Sequence, residues 1–291
     1  MNLKKIRFII NPASGTKSKH SIPELIRSLL DKKIFEPEII FTGYKNHGTA
    51  LAREAIEKGI EIVCACGGDG TVNEIAGVLR FSETTLAIVP TGSGNGLARD
   101  LKISTHPEKA ISNLNNPKVI KIDTCTMNEI PFFVGAGIGF DAHISEKFSH
   151  SKTRGFKTYI FLVLREWFNY HEKEFSLQYD DKKETFKSFI FTVANTSQYG
   201  NNVKIAPQAS VMDGMMDVCL IKKPSLIQCF QTAYLLFTGS IDKSKLTTSF
   251  QTNSLSVHTN EKCGHVDGEP VLIDGKAEFK IFPQSLKVMV G

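Results

Sequence analysis

A carboxylate surrounded by glycines is the first feature of this chain that could do chemistry. Residues Gly67 to Glu74 read GGDGTVNE, and they lie between the apolar run Ile60 to Cys66 and a helix-like segment. Glycine lets a backbone approach a ligand closely, and the free N–H groups at a helix N-terminus attract an anion. Asp69 would repel a phosphate unless a cation lay between them. The segment therefore predicts a metal-nucleotide site and phosphoryl transfer, although a tight turn capped by Asp69 would explain the motif alone equally well.

Two more glycine-rich polar loops follow strand-like segments. Asn11 to Gly15 (NPASG) follows the first predicted strand, and Pro90 to Ala98 (PTGSGNGLA) follows the fourth. The carboxyl ends of parallel strands meet at one edge of a sheet, where α/β proteins bind ligands. Three such loops at one edge are hard to attribute to turn formation alone. None of them has the spacing of a Walker loop or of the dinucleotide fingerprint, and the sequence contains no protein-kinase catalytic loop.

The elements that must position these loops alternate along the first 120 residues. Apolar periodicity predicts strands at residues 5–11, 37–42, 60–66 and 86–89, and helices at 21–33, 47–58 and 71–79. This alternation is typical of a parallel sheet that is covered by helices on both faces.

The second half of the chain is predicted to be mostly β. Alternating apolar residues indicate strands at 119–126, 130–136, 174–179 and 184–194. The dipeptide Asp274-Gly275 predicts a hairpin between 271–273 and 276–281. Two helices are expected within this half, at 156–170 and 225–237.

Composition narrows the class of protein. The 291 residues carry a formal net charge of +5 and are enough for one large domain or two ordinary ones. No apolar stretch approaches the about 20 residues of a membrane span, and the N-terminus does not read as a secretory signal, so we expect a cytoplasmic protein. The six cysteines are scattered and are expected to be buried free thiols rather than zinc ligands. No basic stretch is interleaved with aromatic residues, so nucleic acid is not an expected partner.

The three loops together resemble those of the diacylglycerol kinase catalytic family, which includes bacterial lipid kinases and sphingosine and ceramide kinases. The shared patterns are Asn-Pro-x-Ser-Gly, Gly-Gly-Asp-Gly-Thr-x-Asn-Glu and Pro-x-Gly-Ser-Gly-Asn-x-Leu-Ala. The resemblance continues at Ile122-Asp123, in residues 132–142 and 213–217, and at Asp267-Gly268-Glu269. It therefore covers nearly the whole chain, in one order and with consistent spacing.

The resemblance implies a fold of the class α/β plus all-β. A nucleotide-binding α/β domain like that of phosphofructokinase and NAD kinase would occupy residues 1–122. A β-sandwich-like domain for the lipid substrate would occupy residues 123–291, with the active site in the cleft between the two. ATP with Mg²⁺ would phosphorylate a hydroxyl of diacylglycerol, phosphatidylglycerol or a sphingoid base. The protein would then work peripherally at the inner face of the membrane, as a monomer or a homodimer.

The resemblance also assigns catalytic and nucleotide-binding roles. Asp69 would serve the Mg²⁺ and phosphate site, Asp123 would support that magnesium network, and Glu269 would be the general base for the lipid hydroxyl. The implied nucleotide contacts are Asn11, Pro12, Ala13, Ser14, Gly15, Thr42, Gly68, Asp69, Gly70, Thr71, Val72, Asn73, Glu74 and Ser93.

A second, structural cation is implied in the later half of the chain. Asp213 would bind it together with backbone oxygens of Ser210 and Met215. A carboxylate with carbonyl oxygens suits a hard cation, but Asp213-Gly214 is equally typical of an ordinary turn.

The residues themselves are compatible with a base at Glu269. A hydroxyl nucleophile needs a base within hydrogen-bond reach, and Pro270 favours an extended backbone at the residue before it. A solvated turn residue is the other explanation for Glu269, and Asp267-Gly268 by itself is typical of a turn.

The chain departs from the family pattern at two places. Gly96 stands where many bacterial members carry Asp, so one carboxylate is missing from the expected magnesium network. The chain also ends at Gly291, soon after the β segment 286–290, so we expect little or no tail to pack back onto the first domain.

Two other functions and two candidate lipid surfaces stay open on the sequence. NAD kinases share the GGDGT motif but lack the Asn-Pro-x-Ser-Gly and late Asp-Gly-Glu patterns, and a non-catalytic lipid- or nucleotide-binding regulator would agree with Gly96. The aromatic residues at 156–170 and 234–237 are candidates for a lipid-binding surface. Packed core helices would explain the same residues equally well.

Overall fold

The computed structural model describes residues 3–15, 21–151 and 156–291. Tertiary contacts divide these residues into two compact units. The first unit ends at Asp123 but also includes Pro283–Gly291, and the second unit is Thr124–Phe282. Among the described residues, no helix is long and apolar enough to cross a membrane.

Helices and strands alternate in the first unit, as the sequence predicts. In chain order they are β1 (Lys4–Ile10), α1 (Ser21–Leu29), β2 (Phe35–Phe41), α2 (His47–Glu57), β3 (Ile62–Gly67), α3 (Asp69–Leu79), β4 (Thr85–Pro90), α4 (Gly96–Asp100) and α5 (Pro107–Asn113). The next strand, β5 (Lys118–Met127), leads into the second unit.

The second unit is mostly β, also as predicted. Its elements are β6 (Ile130–Phe132), β7 (Gly135–Gly139), α6 (Phe140–Ser149), α7 (Phe156–Trp167), β8 (Lys173–Tyr179), β9 (Lys182–Ser188), β10 (Ile190–Ala194), β11 (Met216–Ile221), α8 (Leu226–Thr238), β12 (Thr247–Thr252), β13 (Ser254–Thr259), β14 (Cys263–Val266) and β15 (Glu269–Leu272). The last strand, β16 (Lys276–Val290), begins in the second unit and ends in the first.

A parallel sheet forms the centre of the first unit, with its strands in the order β2-β1-β3-β4. On one face, Phe8 belongs to a buried cluster with Ile26 of α1 and Ile111 of α5. On the other face, the buried Arg7 donates from Nη1 to the carbonyl oxygen of Leu51 in α2 at 2.9 Å. Helices therefore cover both faces, so the ends of β1, β3 and β4 are the part of the sheet that is open to a ligand.

Two antiparallel sheets form a β-sandwich in the second unit. One sheet has the strand order β12-β11-β10-β7-β14-β15. In the other, the start of β16 pairs with β13, β13 pairs with β8, and β8 pairs with β9. Phe175 of β8 stacks on Phe191 of β10 at a centroid distance of 5.1 Å. Because these rings come from different sheets, the buried aromatic cluster lies between the sheets and forms the core of this unit.

The hairpin predicted at Asp274-Gly275 is wrong. Strand β15 pairs with β14, and β16 pairs with β13, so the two segments that flank Asp274 join different sheets. The hairpin turn is instead Asp267-Gly268, where both residues have positive φ (47° and 83°). That conformation suits the two-residue turns that connect adjacent antiparallel strands.

The C-terminal residues return to the first unit, whereas the sequence placed all of 123–291 in the second domain and predicted little or no tail. Val288 of β16 pairs in parallel with Leu86 of β4, and Met289 is buried in the core of the first unit. Asn113 donates from its amide to the carbonyl oxygen of Gly291 at 2.8 Å. The buried apolar residues Leu286, Val288 and Met289 thus pack the last strand beside β4.

The six cysteines are free thiols, as expected, but only four of them are buried; Cys229 and Cys263 are half-buried. Burial raises the pKa of the Cys219 thiol to about 12 and that of the Cys263 thiol to about 11. Thiolate is the reactive form, so these cysteines are poor nucleophiles near neutral pH.

Candidate active site

Three loops continue directly from three strand ends of the first unit. The N–H of Asn11 donates to the carbonyl oxygen of Cys66 at 2.9 Å, and the N–H of Thr91 donates to that of Gly67 at 2.8 Å. These bonds extend the pairing of β1 with β3 and of β3 with β4 by one step. The prediction that the three loops share one sheet edge is therefore confirmed.

The Asn11 side chain connects the first loop to the start of α3. Its Nδ2 donates to Thr71 Oγ1 at 2.9 Å, and its Oδ1 accepts from the N–H of Ala13 at 2.9 Å. The first loop also contacts the third, because Ser14 Oγ lies 2.8 Å from Thr91 Oγ1. Side chains that were predicted to contact nucleotide thus also hold the loops together.

Glycine is required where the second and third loops touch. A Cβ built on Gly92 would lie 2.6 Å from the Cα of Gly68, which is backbone and cannot move aside easily. By contrast, a Cβ on the exposed Gly70 would meet no atom within 4 Å. Gly68 and Gly92 are therefore explained by packing between loops, and Gly70 leaves open space at the first turn of α3.

Asp69 anchors the third loop through both carboxylate oxygens. Oδ1 accepts from the N–H of Gly96 at 2.7 Å, and Oδ2 accepts from the N–H of Asn95 at 2.9 Å. A Cβ on Gly94 would approach the same Oδ2 to 2.6 Å, so the loop passes close over the carboxylate. Each oxygen keeps a further lone pair for a ligand. The predicted role of Asp69 at Mg²⁺ stays a prediction.

Glu74 has a structural partner that its prediction as a nucleotide contact did not include. Its carboxylate accepts from the N–H of Asn46 and of Gly48, both at 3.1 Å, at the start of α2. Thr42 follows β2 directly, and its N–H donates to the carbonyl oxygen of Ile10 at 2.9 Å.

The other predicted nucleotide contacts divide by exposure. Val72 is buried and Asn73 is half-buried in α3. The exposed members, which a ligand can reach without rearrangement, are Pro12, Ala13, Gly15, Gly70 and Ser93.

Asp123 is buried, with 1% of its surface exposed. Its Oδ1 accepts from the N–H of Gln284 at 2.7 Å, where the chain re-enters the first unit. The carboxylate therefore helps to fix the C-terminal segment. Its predicted support of a magnesium network stays a prediction.

In the second unit, Asp267 does more than form a turn. Its Oδ1 accepts from the N–H groups of Val134 and Gly135 at 2.9 and 3.0 Å, and its Oδ2 accepts from that of Phe133 at 3.0 Å. Three backbone donors on one carboxylate fix the hairpin against the segment that leads into β7. Glu269 follows as the exposed first residue of β15, so this anchored hairpin presents it to solvent.

A buried polar network behind this hairpin was not found from the sequence. His265 Nε2 lies 3.1 Å from Asp141 Oδ2, and the same oxygen accepts from Thr192 Oγ1 at 3.0 Å and from the hydroxyl of Tyr199 at 3.2 Å. A Cβ on Gly137 would lie 2.3 Å from that oxygen, so only glycine leaves room for the network. The sequence signal was an Asp at the end of the glycine-rich run 135–141.

The predicted structural-cation site contains two neighbouring carboxylates. Gln251 Nε2 donates to Asp213 Oδ2 at 3.4 Å and to Asp217 Oδ2 at 3.3 Å, and Asp213 Oδ1 accepts from the N–H of Met215 at 3.0 Å. Burial raises the pKa of Asp217 to about 6. The hydrogen bond from the Gln251 side chain opposes this rise, and repulsion from the Asp213 carboxylate adds to it. Ser210 Oγ accepts from the N–H of Met212 at 3.4 Å.

The donor set at this position suits a hard cation, because carboxylate and carbonyl oxygens are its preferred ligands. Within the described part of the chain, no cluster of three or more His, Cys, Asp or Glu side chains could hold a metal ion. The cation at Asp213 therefore stays a prediction that depends on backbone oxygens.

Comparison with known proteins agrees with the two-unit organisation. Residues 5–127 match the diacylglycerol kinase catalytic domain, and residues 134–290 match the YegS C-terminal NAD kinase beta sandwich-like domain. The chain is 27% identical over 274 residues to a diacylglycerol kinase of Bacillus subtilis, covering 92% of this chain and 90% of that protein.

Two further comparisons point the same way. A probable lipid kinase YegS-like of Chromohalobacter salexigens is 33% identical over 181 residues, covering 60% of this chain and 58% of that protein. A crystal structure of a diacylglycerol kinase from Bacillus anthracis has the same fold, with a TM-score of 0.76, 17% identity and coverage of 100% of this chain and 98% of that one. With both of its units matched, the chain belongs to the family of diacylglycerol kinase-like bacterial lipid kinases, which implies the use of ATP.

Proposed function

We propose that this protein transfers the γ-phosphate of ATP to a hydroxyl of a membrane lipid. The observation that carries the proposal is the convergence of three glycine-rich loops at one sheet edge, in a chain whose second unit presents Glu269 on a hairpin anchored by Asp267. Diacylglycerol, phosphatidylglycerol and sphingoid bases are the acceptor classes, and the enzyme works peripherally at the inner face of the membrane.

The reaction needs a nucleophile, a leaving group and a place for one proton. The lipid oxygen attacks the γ-phosphorus while the bond from that phosphorus to the β,γ-bridging oxygen breaks, and ADP leaves. Glu269 accepts the proton of the lipid hydroxyl as the general base. The N–H groups of the exposed Gly15 and Gly70 bind the phosphate oxygens.

The first unit has oxygen donors that fit Mg²⁺. Asp69 keeps lone pairs beyond its two bonds to backbone N–H groups, and carboxylate oxygen is the ligand type that Mg²⁺ prefers. Asp69 would hold the ion, and Asp123 would support it. When bound, Mg²⁺ would neutralise negative charge on the β- and γ-phosphates.

The test is an ATP-dependent transfer assay on separate lipid classes, with mass spectrometry to identify the product. We expect a phosphorylated lipid with the purified protein and a loss of product with Asp69→Ala or Glu269→Gln. Glu174→Gln is the matched control, because Glu174 is an exposed strand carboxylate of the same unit as Glu269. Retention of wild-type turnover by either test variant would show that its residue lacks the assigned role.

An NAD kinase-like activity is the second candidate, because the β-sandwich family that matches residues 134–290 is described as NAD kinase-like. NAD is therefore included as an acceptor in the same assay. Phosphorylation of NAD and of none of the lipids would favour that function. Binding of ATP without transfer to any acceptor would indicate a regulator.

A further inference from the structure

Helix α8 carries a row of large apolar side chains that face solvent. Ile227 is 86% exposed and Phe230 is 83% exposed. The exposed residues, which we name the α8 stripe, are Leu226, Ile227, Phe230, Tyr234 and Phe237. With about 100° of rotation per residue, these positions fall within roughly one third of the helix circumference. Such a continuous apolar stripe marks an interaction surface, because single exposed apolar residues are ordinary but rows of them are not.

The opposite face of α8 packs against the core of the second unit, so the helix is held in place with the stripe facing solvent. Leu235 and Leu236 pack against the buried cluster that contains Ile205 and Ile221. At the N-terminus, Ser225 and Gln228 form a reciprocal capping box. At the C-terminus, Gly239 has a φ of 69° and ends the helix.

On α7 of the same unit Phe161 and Leu164 are also exposed, and Phe168 is exposed directly after that helix. Lys223, two residues before the cap of α8, donates from Nζ to the carbonyl oxygen of Tyr170 at 2.6 Å and to that of Phe168 at 3.4 Å. The end of α7 and the start of α8 are therefore tied together. The side chains of Phe156 and Tyr159 lie outside the described residues.

Charge around the stripe favours an anionic partner. Helix α8 contains no Asp or Glu, and the segments on either side of it supply Lys222, Lys243 and Lys245 in addition to Lys223. The acidic residues beside them are Asp242 and Glu172, whose carboxylate accepts from the N–H of Lys223 at 2.8 Å. Apolar side chains flanked by lysines are typical of helices that lie in the interface of an anionic bilayer. A second copy of this chain fits less well, because a two-fold contact through the stripe would bring the same lysines together.

We propose that the α8 stripe docks this protein on an anionic lipid bilayer. Ile227 and Phe230 enter the boundary between head groups and acyl chains, and Lys222, Lys243 and Lys245 contact anionic head groups. The proposal rests on the proposed function for its purpose, since a lipid kinase must reach substrates that stay in the membrane, but docking itself requires no ATP.

The experiment is vesicle flotation of the full chain without nucleotide. We expect binding to vesicles of phosphatidylcholine with about 30% phosphatidylglycerol, and at least 10-fold weaker partitioning of the double variant Ile227→Gln/Phe230→Gln. Lys243→Gln/Lys245→Gln should weaken binding to these vesicles and leave binding to pure phosphatidylcholine unchanged. Phe81→Gln is the control, because it removes an exposed aromatic ring from the first unit. Thermal unfolding of each variant reports whether it is folded.

Each outcome decides the proposal. Wild-type partitioning by the folded double variant would overturn it. Conversion of a wild-type dimer to a monomer by the double variant, measured by light scattering, would show that the stripe is an interface between copies and would also overturn it. Turnover on a dispersed short-chain diacylglycerol should be unaffected by the double variant and tests the proposed function separately. If the wild type binds vesicles through the stripe but phosphorylates no lipid, docking stands and the kinase proposal fails.

Discussion

Replacing Asp69 by Asn should loosen the third loop of the candidate site. The wild-type carboxylate accepts one hydrogen bond on each oxygen, from the N–H groups of Asn95 and Gly96. The asparagine amide keeps one oxygen as an acceptor, but its NH₂ group faces the other backbone donor. One charge-assisted bond is therefore lost, and the second becomes a bond to a neutral acceptor.

The magnitude follows from the strength of such bonds. A hydrogen bond to a charged group contributes about 1.5–3 kcal/mol, so the free energy for opening the loop should fall by about that amount. Since about 1.4 kcal/mol changes an equilibrium tenfold, the N–H groups of residues 95 and 96 should exchange with deuterium roughly 10- to 100-fold faster.

Hydrogen exchange with mass spectrometry measures this directly on peptides that cover residues 93–100. Glu57→Gln is the control, because it neutralises an exposed carboxylate of α2 in the same unit. Unchanged exchange at residues 95 and 96 in Asp69→Asn would refute the anchoring role. Faster exchange across the whole first unit in both variants would show a general loss of stability instead.

Three further predictions test other contacts. Asp267→Asn should destabilise the second unit by about 2–4 kcal/mol, because three backbone donors lose a charged acceptor. Urea unfolding followed by the fluorescence of the single tryptophan measures the free energy of unfolding, and a change below about 0.5 kcal/mol would contradict this prediction. Gly92→Ala should lower ATP binding at least 10-fold, since its Cβ would lie 2.6 Å from Gly68 Cα; calorimetric titration giving wild-type affinity would contradict the close packing. Asp217 has its pKa raised to about 6, chiefly by burial, so the wild type loses stability as the pH rises from about 4 to 6. In EDTA, the free energy of unfolding of Asp217→Asn should therefore exceed that of the wild type by about 1–2 kcal/mol at pH 7 and equal it at pH 4, after allowing for the partial exposure of the carboxylate. Equal stability of the variant and the wild type at both pH values would contradict the raised pKa.

Local sequence patterns were enough to predict the α/β half and its loops. The strands β1, β3 and β4 are short apolar runs, and the loops after them contain the residues of the candidate site, so the information lies within a few neighbours along the chain. The family resemblance added the β-sandwich, which the Phe175–Phe191 stacking confirms.

Contacts between distant parts of the chain could not be predicted in this way. The partners of Asp267 lie more than 130 residues before it, and the bond between His265 and Asp141 spans 124 residues. The dipeptide Asp-Gly occurs at both 267 and 274, and only the pairing of β14 with β15 distinguishes the hairpin from the connection between sheets. The sequence offered residues 234–237 of α8 as a candidate lipid-binding surface but could not decide between that and a packed core helix, because an apolar helix that is buried and one that is half exposed can have the same composition.

The role of Glu269 is tested by the turnover of Glu269→Gln on the lipid that the wild type phosphorylates, with ATP binding measured in parallel. We predict that kcat falls at least 100-fold while the affinity for ATP is unchanged, because general-base catalysis contributes about 10²–10⁴-fold and the nucleotide loops belong to the first unit. A Glu269→Gln enzyme with kcat within about threefold of the wild type would contradict the assignment of Glu269 as the base that activates the lipid hydroxyl.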